Sequence, residues 1–112
     1  MIRTGRLELR PSEGDMIWVG YHDGHPVVEV GRHNIVDEFG FVNIWYRAID
    51  EGRGYATEAV HGFLIWLQKN GIIFVTAEVE AGNIKSKKVL AKNGFHKIGV
   101  HGMDVFLKQI NF

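Results

Sequence analysis

The sequence predicts an α/β domain of the α+β kind: a β-rich first half, then a helix, a strand, a second helix and a closing pair of strands. Three observations carry this reading. Strand-forming runs, with an Asp23-Gly24 hairpin signal among them, fill the stretch up to Ile49. At Thr57 the apolar spacing changes to three- and four-residue steps. Between the two helices, Ile72 to Val79 is almost unbroken apolar sequence, as a central strand covered on both faces would be.

Taken in order, Leu7 and Leu9 alternate with polar neighbours up to Pro11, a strand that the proline should end. Ser12 to Asp15 reads as a turn. Met16 to Tyr21 and Val27 to Val30 form an antiparallel hairpin about His22-Asp23-Gly24-His25-Pro26. Gly31 to Glu38 reads as a connecting loop, and the Phe, Val, Ile, Trp and Tyr residues of Phe39 to Ile49 as the next strand. Ala59, Val60, Phe63, Leu64 and Leu67 make one helical stripe, stopped at Asn70-Gly71. Asn83 can cap a second helix of about eleven residues that ends near Lys92 and Gly94. Phe95 to Val100 and Met103 to Ile110 then pair around His101-Gly102.

A chain of 112 residues holds one core, so residues 1–112 form a single domain. An apolar fraction of 46% and a charged fraction of 23% are ordinary globular values. Thirteen basic residues balance thirteen acidic ones, which removes the broad positive field expected of a nucleic-acid binder. The lack of cysteine excludes disulfides, thiolate metal sites and a cysteine nucleophile. No apolar run approaches the roughly 20 residues needed to span a bilayer, and none resembles a signal peptide, so the expected place is the cytoplasm, away from membranes.

The chemistry concentrates at Gly52-Arg53-Gly54-Tyr55-Ala56-Thr57, where a strand ends and a helix begins. Backbone N–H groups are unpaired and aligned at such a place, which suits an anion. Glycines at 52 and 54 let a phosphate approach closely, and Ala56 adds little bulk. Gly-x-Gly alone is more often the mark of a purely structural turn. No Gly-Lys-Ser/Thr follows, as a Walker loop would need, and Thr57 stands where a dinucleotide fingerprint has its third small residue.

Longer words are more specific. Arg53-Gly-Tyr-Ala-Thr-Glu-Ala59, followed by Asn83-x-x-Ser86-x-x-Val89-Leu90-x-Lys92-x-Gly94-Phe95, resembles the two signature blocks of the GNAT acyltransferase superfamily. The opening Thr4-Gly-Arg-Leu-Glu-Leu-Arg-Pro11 is similar to the first strand of the branch that acetylates N-termini of ribosomal proteins. The resemblance implies a mixed, largely antiparallel twisted sheet with two principal helices. It also implies an N-acetyltransferase whose cosubstrate is acetyl-coenzyme A and whose partner is an amine. Its cofactor-binding set would be Ile49, Gly52, Arg53, Gly54, Tyr55, Ala56, Thr57, Asn83, Ser86 and Lys88, with no metal. A pantetheine arm would run between splayed strands, with Asn83 and Ser86 near the thioester. Lys85, Lys87, Lys88, Lys92 and Lys97 form a basic cluster suited to nucleotide phosphate, though each lysine is equally a solvated helix residue.

Acyl transfer from a thioester needs a neutral amine, a polarised carbonyl and a hydrogen bond or proton for a thiolate of pKa about 8.5. Ser86 is the one catalytic residue the resemblance implies, as the proton donor; the alternative is a serine that only bonds the backbone. The family's frequent helix tyrosine is replaced by Leu90, and Asn43 stands where the branch often has a carboxylate. Asp37, Glu38 or His33 would have to act through water, and each reads better as a solvated loop residue. His22 and His25 flank the hairpin without a third ligand at metal-binding spacing.

Family members usually carry one or two helices between the first two strands, and Ser12 to Asp15 leaves room only for a turn, so these first cleft helices are missing. The cleft is then open, or completed by another subunit in a homodimer, with Trp18, Trp45 and Trp66 as core residues or interface residues. Two other functions stay open beside catalysis: a coenzyme-binding module that does not turn over, and an assembly partner.

Overall fold

Asp23 and Gly24 both take positive φ, 50° and 79°, so a two-residue turn folds the strands on either side into a hairpin. A computed structural model of the chain describes residues 1–36 and 41–110. Along it run β1 (Ile2–Arg3), β2 (Glu8–Glu13), β3 (Ile17–His22), β4 (His25–Val36) and β5 (Phe41–Ala48), then α1 (Tyr55–Lys69) and β6 (Phe74–Val79). α2 (Ile84–Lys92), β7 (His96–His101) and β8 (Met103–Gln109) complete the order.

The strands form one sheet of eight in the order β1-β2-β3-β4-β5-β6-β8-β7. Every pairing is antiparallel except β5 with β6. That parallel pair is short, joining Phe41, Val42 and Asn43 to Phe74, Val75 and Thr76. Beyond it β5 runs on to Ala48 and β6 to Val79 without pairing to each other, so the sheet opens between them. This splay is a direct consequence of where the register ends.

One face of the sheet carries the core. Leu9, Val28, Val30, Val42, Ile44 and Val75 are buried against the apolar stripe of α1, including Val60, Phe63, Leu64 and Leu67. Phe63 has no exposed surface, and truncating a phenylalanine so placed costs roughly 3–5 kcal/mol. Trp18 is buried beside it, with Trp66 5.3 Å away between ring centroids. α2 lies beside α1 on the same face: Asn93 Nδ2 donates across to the Thr57 carbonyl at 3.2 Å, and the buried Leu90 faces the core.

Several expected boundaries are corrected. β2 continues through Pro11 to Glu13, because β1 pairs only with Glu8 and Leu9 and leaves the outer edge of β2 free thereafter. A proline that donates nothing is tolerated at such an edge. β4 does not stop at Val30: Gly31 pairs with Ile17 on one side and Trp45 on the other, and a Cβ there would stand 2.6 Å from the Trp45 ring. The supposed loop is thus a strand as far as Val36, while Asp37, Glu38 and the start of the strand expected from Phe39 lie outside the described residues. A short β1 is added, α1 starts at Tyr55, and α2 has 9 residues.

β6 is covered on one face only. Val75, Ala77 and Val79 are buried, while Phe74 and Thr76 are half-buried and Glu78 is exposed. The same alternation leaves Val19, Trp45, Val105 and Leu107 half-buried on a face where, among the described residues, no helix packs. Among these residues no helix is long and apolar enough to cross a membrane.

Candidate active site

β5 ends at Ala48, and the chain leaves the sheet with the N–H groups of Ile49 and Asp50 both donating to the Val27 carbonyl, at 2.9 and 3.0 Å. Two glycines then turn it, Gly52 at φ 80° and Gly54 at φ 77°, in the left-handed region that other residues avoid. Gly54 is the N-cap of α1, and no side chain closes that cap. The first amide with a helical acceptor is that of Glu58, 3.1 Å from the Gly54 carbonyl. Among the described residues the amides of Gly52 to Thr57 have no acceptor. The helix therefore presents free donors and the positive end of its dipole. Nor is the corner filled, since a Cβ on Gly52 would meet nothing within 4 Å.

A groove of about 430 Å³ runs from this corner to α2. Of the residues expected to hold the coenzyme, Gly52, Gly54, Tyr55, Ala56, Thr57, Asn83, Ser86 and Lys88 line it, and Ile49 and Arg53 do not. Ile49 is exposed beyond the groove, while Arg53 turns back to Asp50, Nε to Oδ2 3.2 Å. The lysine cluster divides. Lys88, Lys92 and Lys85 face the groove, Lys85 lying 3.8 Å from Glu51. Lys87 and Lys97 instead reach the buried Asp104, at 2.7 and 3.5 Å. The hydrogen bond from Lys87, ahead of the two lysine charges, holds the Asp104 carboxyl below its ordinary pKa. Sequence reasoning missed this partner because Asp104 stands on β8.

In the first turn of α2, the Asn83 side chain accepts from the Ser86 amide at 3.1 Å, the capping role expected of it. Ser86 also meets Tyr46 across the splay. The Tyr46 hydroxyl is 2.5 Å from Ser86 Oγ and 3.0 Å from the Ser86 carbonyl, to which it donates. Burial raises the Tyr46 pKa above its ordinary value, partly offset by the Ser86 hydrogen bond, so the phenol keeps its proton. In the sequence Tyr46 stands only as part of a strand, and nothing local distinguishes it from the aromatic residues around it.

A second unforeseen feature braces the turn. Glu58 accepts from the Thr4 hydroxyl, and at 2.7 Å each from the backbone amide and Nε of Arg6. The Arg6 guanidinium lies 4.6 Å over the Tyr55 ring. Burial would raise the Glu58 pKa, but these donors outweigh it and hold the carboxyl below its usual value. The opening segment is thereby fastened to the first turn of α1.

Other residues named from the sequence play no visible part. Leu90 is wholly buried. Asn43 donates from Nδ2 to Thr76 Oγ1 at 2.9 Å, which ties together the last pair of the parallel ladder. His33 is exposed, His22 and His25 are hairpin register partners, and among the described residues no cluster could hold a metal ion.

The sheet is splayed between β5 and β6, and its open edge leads to an uncapped helix start. The chain belongs to the GNAT acetyltransferase family: the model of the acetyltransferase (GNAT) domain matches residues 5–96. Compared with curated proteins, the sequence finds no significant match. Its fold is similar to that of ribosomal-protein-S5-alanine acetyltransferase from Vibrio fischeri, with a TM-score of 0.76 and 23% identity over 83% of this chain and 60% of that one. Mycobacterium smegmatis RimJ in complex with CoA-disulfide gives a TM-score of 0.76 and 21% identity over 94% and 54%. An acetyltransferase from Agrobacterium tumefaciens gives 0.81 and 17% identity over 95% and 92%. The chain thus spans little more than half the length of the first two relatives and nearly all of the third.

Proposed function

We propose that the protein is an N-acetyltransferase that moves the acetyl group of acetyl-coenzyme A to an amine by direct attack. One observation carries the reading: the free amides of α1 open into a groove that leads to the Tyr46–Ser86 hydroxyl pair. The amides of Gly52 to Thr57 take the pyrophosphate, with Lys85, Lys88 and Lys92 as nearby cations. The pantetheine arm follows the edge of β5 left unpaired beyond Asn43, which brings the thioester towards Ser86. In the transfer the amine nitrogen bonds to the carbonyl carbon, the C–S bond breaks and its electron pair goes to sulfur. Ser86 donates to that sulfur, and the ammonium proton leaves to water.

The carboxylates that line the groove, Asp50 and Glu51, are paired with Arg53 and Lys85, and neither bonds to the Tyr46–Ser86 pair, which favours an acceptor that is already partly neutral. An α-amine with a pKa of about 8 is roughly one-tenth neutral at pH 7, whereas lysine at about 10.4 is far less so. We therefore assign a protein N-terminus or a weakly basic small amine as acceptor, and the cytoplasm as the compartment. The similarity to ribosomal-protein-S5-alanine acetyltransferase from Vibrio fischeri supports the first choice. The half-buried Trp45, Val19, Val105 and Leu107 on the uncovered sheet face support a homodimer that completes the cleft.

A coenzyme-binding module without turnover is the competing reading, favoured by Asn43 being held by Thr76 where a base would be wanted. Calorimetry with coenzyme A, followed by thiol release from acetyl-coenzyme A with a panel of amines, separates the two. Binding with release is expected. Binding without release for any amine leaves the module, and no binding overturns both.

A further inference from the structure

Two of the hydroxyls that line the groove, those of Tyr46 and Ser86, meet each other. Ser86 is fixed by its backbone, since the Asn83 side chain accepts from its amide. The Tyr46 ring packs against the core and brings its hydroxyl to the open side of the splay. From there it lies within hydrogen-bond distance of both oxygens of Ser86, Oγ at 2.5 Å and the carbonyl at 3.0 Å.

Tyr46 has one proton for these two acceptors, so the pair has two arrangements. When Tyr46 donates to the carbonyl, the Ser86 hydroxyl spends its own proton on the phenol oxygen. When Tyr46 donates to Ser86 Oγ, the Ser86 proton is released to point elsewhere, and a hydroxyl that accepts one hydrogen bond donates a stronger one. Only the second arrangement lets Ser86 face a sulfur in the groove. Lys85, Lys88 and Lys92 line the groove as cations, but none of them is bonded to either hydroxyl.

We infer that Tyr46 is a positioning residue: by donating to Ser86 Oγ it turns the serine proton onto the sulfur of coenzyme A. This rests on the transferase reading and adds to it the group that makes Ser86 a donor. No proton leaves Tyr46 in the step. A phenol of pKa about 10, raised further by burial, is a weaker acid than a thiol at about 8.5, so full transfer to the thiolate would run uphill. The breaking C–S bond leaves its electron pair on sulfur. The thiolate accepts a hydrogen bond from Ser86, and water supplies the proton that finally neutralises it.

The same hydrogen bond should favour the thiolate of bound coenzyme A, which gives a measurement independent of any acceptor. Coenzyme A is bound to the wild-type protein, Tyr46→Phe, Ser86→Ala and the double variant, and the thiol is titrated by its ultraviolet thiolate absorbance. In the wild type the bound thiol should titrate below its free value. Ser86→Ala should raise that midpoint by roughly one pH unit, the worth of one hydrogen bond to a charged group, and Tyr46→Phe by a smaller part of it, because the serine keeps its proton but loses the bond that orients and strengthens it. The double variant should match Ser86→Ala, because the two hydroxyls act as one donor. Midpoints equal in wild type and Tyr46→Phe, or single effects that simply add, would overturn the inference while leaving coenzyme binding in place. Failure of the wild type to bind coenzyme A would remove both this inference and the transferase reading.

Discussion

The two helices begin in opposite ways. α2 closes its own end, with Asn83 accepting from the Ser86 amide, whereas α1 starts at a left-handed glycine and leaves its donors open. A capping side chain is worth about 1 kcal/mol, so the open end forgoes stability that the closed end has. Its support comes from outside the helix instead. Thr4 and Arg6 hold Glu58, and Asn93 ties the Thr57 carbonyl to α2. A helix start held rigid by neighbours, with its amides still free, is suited to an anion in a way that a capped one is not.

Placing a side chain at the open end should break the contrast most strongly. Gly54→Val forces a β-branched residue into φ 77°, where left-handed geometry costs an ordinary residue roughly 1–2 kcal/mol and a branched one more. It also sets methyl groups beside the free amides. Affinity for coenzyme A, measured by calorimetry, should fall by more than about tenfold and the melting temperature should drop as well. Gly52→Ala should lose less of both, since its Cβ meets open space.

The closed end gives the converse result. Asn83→Ala removes the acceptor that holds the Ser86 amide, so unfolding free energy should fall by about 1 kcal/mol in denaturant titration. Binding of a phosphate-bearing fragment such as adenosine diphosphate should stay within about twofold of wild type, because the free amides proposed to hold its phosphates belong to α1 and the lysines of α2 remain in place.

These contrasts explain what could be read from the chain beforehand. The glycine turn and the Asn83 cap were legible because each is a local word whose backbone consequence follows from a few neighbouring residues. The apolar stripe of α1 was legible for the same reason. Pro11 and Gly31 misled because their tolerance depends on neighbours across the sheet: the short reach of β1 in one case, the Trp45 ring in the other. The partners Tyr46–Ser86 and Arg6–Glu58, 40 and 52 positions apart, exist only once the sheet and helices have come together. Asp104 escaped notice similarly, and with it the loss of Lys87 and Lys97 from the groove.

The brace on the open helix end is itself titratable. Glu58 has its folded pKa lowered from 4.5, so its contribution is present above the unfolded value and is lost as pH falls through the folded one. Thermal stability of the wild type should therefore decline on acidification below about pH 4.5, and Glu58→Gln should flatten part of that decline. The groove should loosen in parallel, with weaker coenzyme binding at pH 4 than at pH 6, because the clasp through Thr4 and Arg6 is released. An unchanged slope in Glu58→Gln would place the acid sensitivity elsewhere, with Asp104 the next group to test.

The smallest effect concerns charge at the mouth of the open end. Asp50 and Glu51 line the groove beside the glycine turn, opposing the field that Arg47, Lys85, Lys88 and Lys92 set up around a phosphate. Glu51 is largely exposed and only 3.8 Å from Lys85, so its carboxylate partly cancels one of those cations at little structural benefit. Glu51→Gln should raise coenzyme A affinity about two- to threefold at low ionic strength, with the gain shrinking as salt screens the groove. Pantetheine, which lacks the nucleotide phosphates, should bind the variant and the wild type alike. Equal gains for both ligands would mean that Glu51 acts on the arm of the cosubstrate, and the phosphate would then have to lie farther from the turn than its free amides imply.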